Sequence, residues 1–146
     1  MTKSNYQKIA ISEMQAVEYA EQYFGKKGTV KKLPGDSDFN FQIVMKKGEA
    51  FILKISRPGF DLENLDMQTA LFNHLNQQDT SLNFPQQIRS KNNLLIEQIT
   101  DQNGATRTLR MLTWLSGRLW AKVNPPTNKL WQSLGKTCGQ LMTVLQ

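Results

Sequence analysis

Two tight turns constrain this chain more than any other feature. Lys46-Lys47-Gly48-Glu49 stands between Asn40 to Met45 and Ala50 to Ser56, and Asp101-Gln102-Asn103-Gly104 stands between Asn93 to Thr100 and Thr106 to Leu115. In Asn40 to Met45, Phe41, Ile43 and Met45 alternate with Asn40, Gln42 and Val44, which is the period of a strand. Such short connections leave no room for a crossover, so the strands they join must pair antiparallel. Asn103-Gly104 is also a strong hairpin signal, because both residues accept the positive φ that the turn needs. A further short strand is expected at Thr29 to Leu33, followed by the turn-rich loop Pro34-Gly35-Asp36-Ser37-Asp38.

Helices flank these strands. Ser12 followed by Gln15 forms a capping box, Val17, Ala20 and Phe24 recur at helical spacing, and Gly25 supplies a stop. After Arg57-Pro58-Gly59 breaks a strand, Asp61 can cap a second helix running to about Gln77. Beyond Gly117 and Pro125-Pro126, a last helix is expected from about Thr127, with Leu130, Leu134, Cys138, Leu141 and Leu145 on one stripe. The order is helix, three strands, helix, two strands, helix. It predicts an α+β fold with a mainly antiparallel five-stranded sheet and helices packed against it. The last helix carries no Gly, Asn or Pro stop, which is expected of a piece cut from a longer protein.

Composition narrows the chemistry. With 146 residues and 39% hydrophobic content the chain suits a single core. No apolar stretch approaches the ~20 residues of a membrane span, and the opening MTKSNYQKIAIS has no apolar signal region. A single cysteine, Cys138, and a single histidine, His74, exclude an internal disulfide, a cysteine-cluster zinc site and a two-histidine relay. These features describe a soluble, globular protein of a reducing compartment, and a cytoplasmic location is expected. The net charge of +6 comes partly from the pairs Lys26–Lys27, Lys31–Lys32 and Lys46–Lys47. They read as solvated turns, and the aromatics do not interleave with them as a base-stacking surface requires, so nucleic acid is not an expected partner.

Three features could carry chemistry. Lys54 sits inside the apolar run Phe51-Ile52-Leu53-Lys54-Ile55; Ile52 and Lys54 share one strand face, and Phe51, Leu53 and Ile55 share the other. A lysine there must lie on an edge strand, snorkel to water or meet an anion. The loop Leu33 to Asn40 has the glycine and small polar residues that let backbone amides approach a phosphate, and Ser37 adds a hydroxyl, although Asp36 and Asp38 would repel one. Gln68 projects between Leu65, Phe72 and Leu75, where an amide needs a partner: a carbonyl, a water, or Lys54. Strand, polar loop, strand, turn, strand with lysine, helix and two more strands is the order of the small lobe of a kinase-like phosphotransferase.

The stretches Leu33-Pro34-Gly35-Asp36-Ser37-Asp38-Phe39-Asn40-Phe41, Phe51-Ile52-Leu53-Lys54-Ile55, Leu65-Asp66-Met67-Gln68 and Leu109-Arg110-Met111-Leu112-Thr113-Trp114-Leu115-Ser116-Gly117 together resemble the amino-terminal part of aminoglycoside phosphotransferase-like kinases. That family includes choline, homoserine and hydroxylysine kinases. The likeness is nearest to kinase domains fused ahead of class III, pyridoxal-phosphate-dependent aminotransferases. The resemblance implies a protein-kinase-like nucleotide-binding lobe in residues 1–116, then the hinge exit and the first helix of a C-terminal lobe in 117–146. It implies that Lys54 contacts the α- and β-phosphates of ATP and that Ser37 lies in the loop over them. Ile52 would touch the adenine face and Leu112 the back of its pocket, while Thr113, Trp114 and Leu115 would form the hinge.

The implied reaction transfers the γ-phosphoryl of ATP, with Mg²⁺, to a hydroxyl of an amino-containing metabolite. Pyridoxal phosphate is implied only if an aminotransferase domain follows. Two departures from the family pattern stand out. Gln68 occupies the helix position usually held by a glutamate that pairs with the lysine. The catalytic H-x-D-x-x-x-x-N loop and the later metal-binding aspartate do not occur in these residues, so no catalytic residue is assigned and the chain alone is expected to be inactive. A large lobe missing from the last helix would uncover its apolar stripe, and self-association through that stripe is then expected. The rival expectations are a non-catalytic kinase-like interaction domain and, from the +6 charge alone, a nucleic-acid-binding module.

Overall fold

The computed structural model of the chain describes residues 10–36 and 38–146. Helix α1 (Glu13–Phe24) begins at Ser12, whose side chain accepts from the Gln15 amide while the Gln15 side chain accepts from the Ser12 amide. It ends at Gly25, in the left-handed region at φ 65°, where the amide reaches back to the Ala20 and Glu21 carbonyls. The strands are β1 (Gly28–Leu33), β2 (Phe39–Met45), β3 (Ala50–Ile55), β4 (Gln87–Ile88), β5 (Glu97–Thr100) and β6 (Thr106–Thr113). Helix α2 (Leu62–Gln77) starts at Asp61, which accepts from the Glu63 and Asn64 amides, and α3 (Asn128–Val144) starts at Thr127.

The sheet is antiparallel throughout, in the order β1-β2-β3-β6-β4, and β5 shares the outer edge of β6 with β4. Among the described residues it has six strands and not the five expected. The extra strand, β4, is only two residues long, too short for periodicity to announce it. The expected strand from Asn93 shrinks to Glu97–Thr100, because Ser90 turns the chain there: its hydroxyl accepts from the Asn92 and Leu94 amides. The pair Lys46–Lys47 lies in a turn and Lys26–Lys27 in the irregular connection after Gly25, but Lys31–Lys32 belong to β1. On an exposed edge strand, lysines oppose pairing with another sheet.

One sheet face carries the core. Phe41 and Ile43 of β2, Leu53 and Ile55 of β3 and Leu109 and Met111 of β6 are fully buried, and Ala16, Ala20 and Phe24 of α1 pack on them. The small alanines let the helix backbone lie close to the sheet. The alternation in β3 is as expected: Phe51, Leu53 and Ile55 point into the core, and Ile52 and Lys54 point to the other face, beneath α2. Leu65 and Leu75 of α2 are buried, with Gln68 and Phe72 half-buried beside them. The last helix is uncovered along its stripe: Leu134, Cys138 and Leu145 are exposed, as is Trp131, whose ring meets Trp120 edge-on at 4.9 Å. Among the described residues no helix is long and apolar enough to cross a membrane.

Candidate functional site

The face away from the core places Asn40 of β2, Lys54 of β3 and Arg110 of β6 in one row, since Asn40 pairs with Lys54 and Lys54 with Arg110 in register. Lys54 is on an interior strand, so the edge-strand explanation for it does not hold. Its Nζ donates to Asn40 Oδ1 at 2.9 Å and lies 3.7 Å from Asp38 Oδ2. Asn40 is itself braced, donating to the Pro34 carbonyl at 3.2 Å. Asn40 of β2 and Asp38 of the loop before it thus hold the lysine through their side chains.

Gln68 does not hold Lys54. Its Oε1 accepts from Arg110 NH1 at 2.9 Å, and its Nε2 donates to Asn64 Oδ1 one turn back on α2 at 2.7 Å. The other terminal nitrogen of Arg110, NH2, reaches Asp38 Oδ2 at 3.3 Å. The expected lysine–helix link is therefore replaced by a chain of contacts from Lys54 through Asp38 and Arg110 to Gln68. Arg110, which the sequence reading does not single out, is the centre of this cluster. Its signal was present: a charge within Leu109-Arg110-Met111 is as anomalous in an apolar strand as Lys54 is in its own. Burial lowers the Arg110 guanidinium from its usual value, and the charge of Asp38 and its hydrogen bond oppose that shift.

Two cavities meet at Arg110. One, of about 370 Å³, is lined by Ile52, Lys54, Gln68, Phe72, Pro85, Leu112, Thr113, Trp114 and Leu115 as well. It gathers seven of the eight site positions expected from sequence, drawn from three separate parts of the chain. The eighth, Ser37, lies outside the described residues. The second cavity, of about 380 Å³, lies toward the start of α2 and is lined by Asp38, Ser56, Arg57, Asp61, Asn64 and Gln68 among others.

At the first cavity the Thr113 amide donates to the Gln86 carbonyl at 2.9 Å and the Trp114 amide to the Ala50 carbonyl at 3.0 Å. Both amides are thus taken up within the chain, whereas the Leu115 amide has no protein acceptor among the described residues. His74, on α2, lies away from this site, with Nε2 at 2.7 Å from the Val144 carbonyl of α3. No group of three or more His, Cys, Asp or Glu that could hold a metal occurs among the described residues, so no metal ligand is assigned to them.

No protein-family model matches the sequence, and no curated protein matches it. Among solved structures, an amicoumacin kinase, hAmiN, in complex with AMP-PNP, Ca²⁺ and Ami, is similar to this chain, with a TM-score of 0.55 and 22% identity. The match covers 74% of this chain and 32% of that one, so the chain spans about a third of the enzyme's length. The fold is that of a kinase-like small lobe: α+β, with an antiparallel sheet and flanking helices.

Proposed function

We propose that this chain is the nucleotide-binding lobe of an ATP-dependent small-molecule kinase. The observation that carries the reading is the 370 Å³ cavity, in which Ile52 and Leu112 offer an apolar floor, Thr113 to Leu115 a backbone edge, and Lys54 and Arg110 two cations at one end. A flat apolar floor suits a purine, and cations at one end suit its phosphates. The Leu115 amide is the donor left for the ring, and the Thr113 and Trp114 carbonyls are the acceptors beside it. Lys54, held by Asn40, would set the polyphosphate in place, and bound ATP would supply the phosphoryl group for transfer.

The acceptor class, a hydroxyl of an amino-containing metabolite, rests on the resemblance to aminoglycoside phosphotransferase-like kinases. The similar solved enzyme, a kinase in complex with AMP-PNP, is in keeping with a nucleotide as the phosphoryl donor. Catalysis in this reading needs a base and metal ligands that the described residues do not supply, so this lobe binds and orients. Pyridoxal phosphate has no part in the proposed chemistry. The uncovered stripe of α3 is read as a contact surface for further protein, a second lobe or a second copy.

The test is titration of the full chain with ADP and ATP, read by the fluorescence of Trp114 and its neighbours. Saturable binding, lost on Lys54→Met, supports the reading. No saturable response to either nucleotide removes it. A second reading, a non-catalytic kinase-like interaction domain, is favoured by one observation: the helix partner Gln68 is uncharged and engages Arg110, not Lys54. That reading expects no nucleotide response.

A further inference from the structure

Lys54 and Arg110 are register partners on neighbouring strands and lie on the same face, where like charges repel. A single carboxylate, Asp38, is shared between them. The other carboxylate bordering the two cavities, Asp61, is occupied by the Glu63 and Asn64 amides at the start of α2. With Arg57, which also borders the second cavity, three cations stand against the two carboxylates Asp38 and Asp61, which leaves one positive charge unbalanced. The contacts of Asp38, at 3.3 and 3.7 Å, are also longer than the roughly 2.7–2.9 Å of a tight charge-assisted bond. Asp38 is the more exposed partner: the arginine side chain is 5% exposed and the aspartate 22%. If Asp38 swung away, Gln68 would still hold the guanidinium at NH1.

We propose, resting on the nucleotide-binding reading above, that Arg110 is a second phosphate-contacting cation beside Lys54, and that Asp38 is a built-in competing anion displaced by a nucleoside di- or triphosphate. Gln68 then has a reason to be uncharged. A glutamate at that position would neutralise Arg110, whereas an amide orients the guanidinium and leaves its charge for the ligand. The pair favours a diphosphate over a monophosphate, because one phosphate cannot serve both cations as fully as two can.

The experiment titrates the full chain and its Asp38→Asn, Gln68→Glu and Arg110→Gln variants with ADP, AMP and inorganic tripolyphosphate by calorimetry, with circular dichroism to check folding. Asp38→Asn is expected to tighten ADP and tripolyphosphate several-fold. Gln68→Glu is expected to weaken ADP about tenfold, and Arg110→Gln to do so at least as much, with AMP affected less. A helix residue that pairs with Lys54 would give the opposite sign for Gln68→Glu, since a carboxylate would then strengthen the site. If Arg110→Gln fails to fold, the two isosteric variants decide the matter. ADP binding that is sensitive to Lys54→Met but unchanged within about twofold in Asp38→Asn and Gln68→Glu overturns this inference and leaves the nucleotide site standing. Absence of ADP binding by the unmodified chain removes the nucleotide reading itself.

Discussion

Arg107 Nε lies 2.7 Å from Asp101 Oδ2, and both side chains are only 1% exposed. The pair joins the Asp101–Gly104 turn to the middle of the fold, because Arg107 NH1 also donates to the Ser56 carbonyl at the end of β3, at 3.0 Å. Asp101 accepts in addition from the Asn103 and Ala105 amides, which close the turn. The hairpin that the Asn-Gly signal announced is thus anchored by a buried ion pair.

Breaking that pair should be costly. Asp101→Asn leaves a buried guanidinium without its counter-charge and should destabilise the chain by about 3 kcal/mol, measured by urea unfolding. An unfolding midpoint equal to that of the unmodified chain would contradict the role assigned to the pair.

The same carboxylate carries a pH signature. Burial alone would raise the Asp101 pKa, but hydrogen bonds from Arg107, Ala105 and Asn103 outweigh it and hold the value below the ordinary 3.8. A depressed carboxylate contributes stability that is fully present above the unfolded value and is lost as pH falls through the folded one. Stability should therefore drop below about pH 4, and the Asp101→Asn variant should lose less over that range. Parallel acid profiles for the two proteins would count against this.

Lys54→Met should separate binding from stability. ADP affinity is expected to fall about tenfold or more, because a charge-assisted contact is lost. Folding stability is expected to hold or rise by up to about 1 kcal/mol, because a cross-strand repulsion with Arg110 disappears. A large loss of stability in urea would mean that Lys54 serves the fold before it serves a ligand.

Gly35 admits no side chain. A Cβ there would overlap the Asp38 carbonyl oxygen and come within 2.6 Å of Asn40 Nδ2. Backbone cannot rotate away as a side chain can, so Gly35→Ala must shift the loop that braces Lys54. Both consequences are measurable: a stability loss of about 1–3 kcal/mol and weaker ADP binding. Wild-type values for both would show that the loop has slack.

Core and last helix should respond differently. Leu53 is fully buried, and Leu53→Ala is expected to cost about 3–4 kcal/mol. Leu134 on α3 is 40% exposed, and Leu134→Ala should stay within about 0.5 kcal/mol. Thermal or urea unfolding of the two variants side by side tests whether α3 contributes to the fold of this chain.

Local interactions were legible from residues alone. Ser12 with Gln15, Gly25 after Phe24, Asp61 before α2 and the Asn-Gly turn each act over a few positions, so their presence in the chain is nearly their presence in the structure. The alternation around Lys54 likewise placed it opposite the core, since successive strand residues point to opposite faces. β4 was not legible, because two residues carry no period.

The amino-acid sequence by itself determined the three helices, the longer strands, the antiparallel pairing across the two hairpins and the face on which Lys54 stands. Only the tertiary structure decided which groups meet that lysine. Asn40 lies 14 residues from it, and Asp38 and Arg110 lie 72 residues apart in the chain; strand register brings all four together. Register between distant strands is set by how the buried rows of β2, β3 and β6 interlock, a collective packing choice with no local signature. For that reason the sequence leaves Gln68 a carbonyl, a water or Lys54 as its partner, while the fold gives it Arg110.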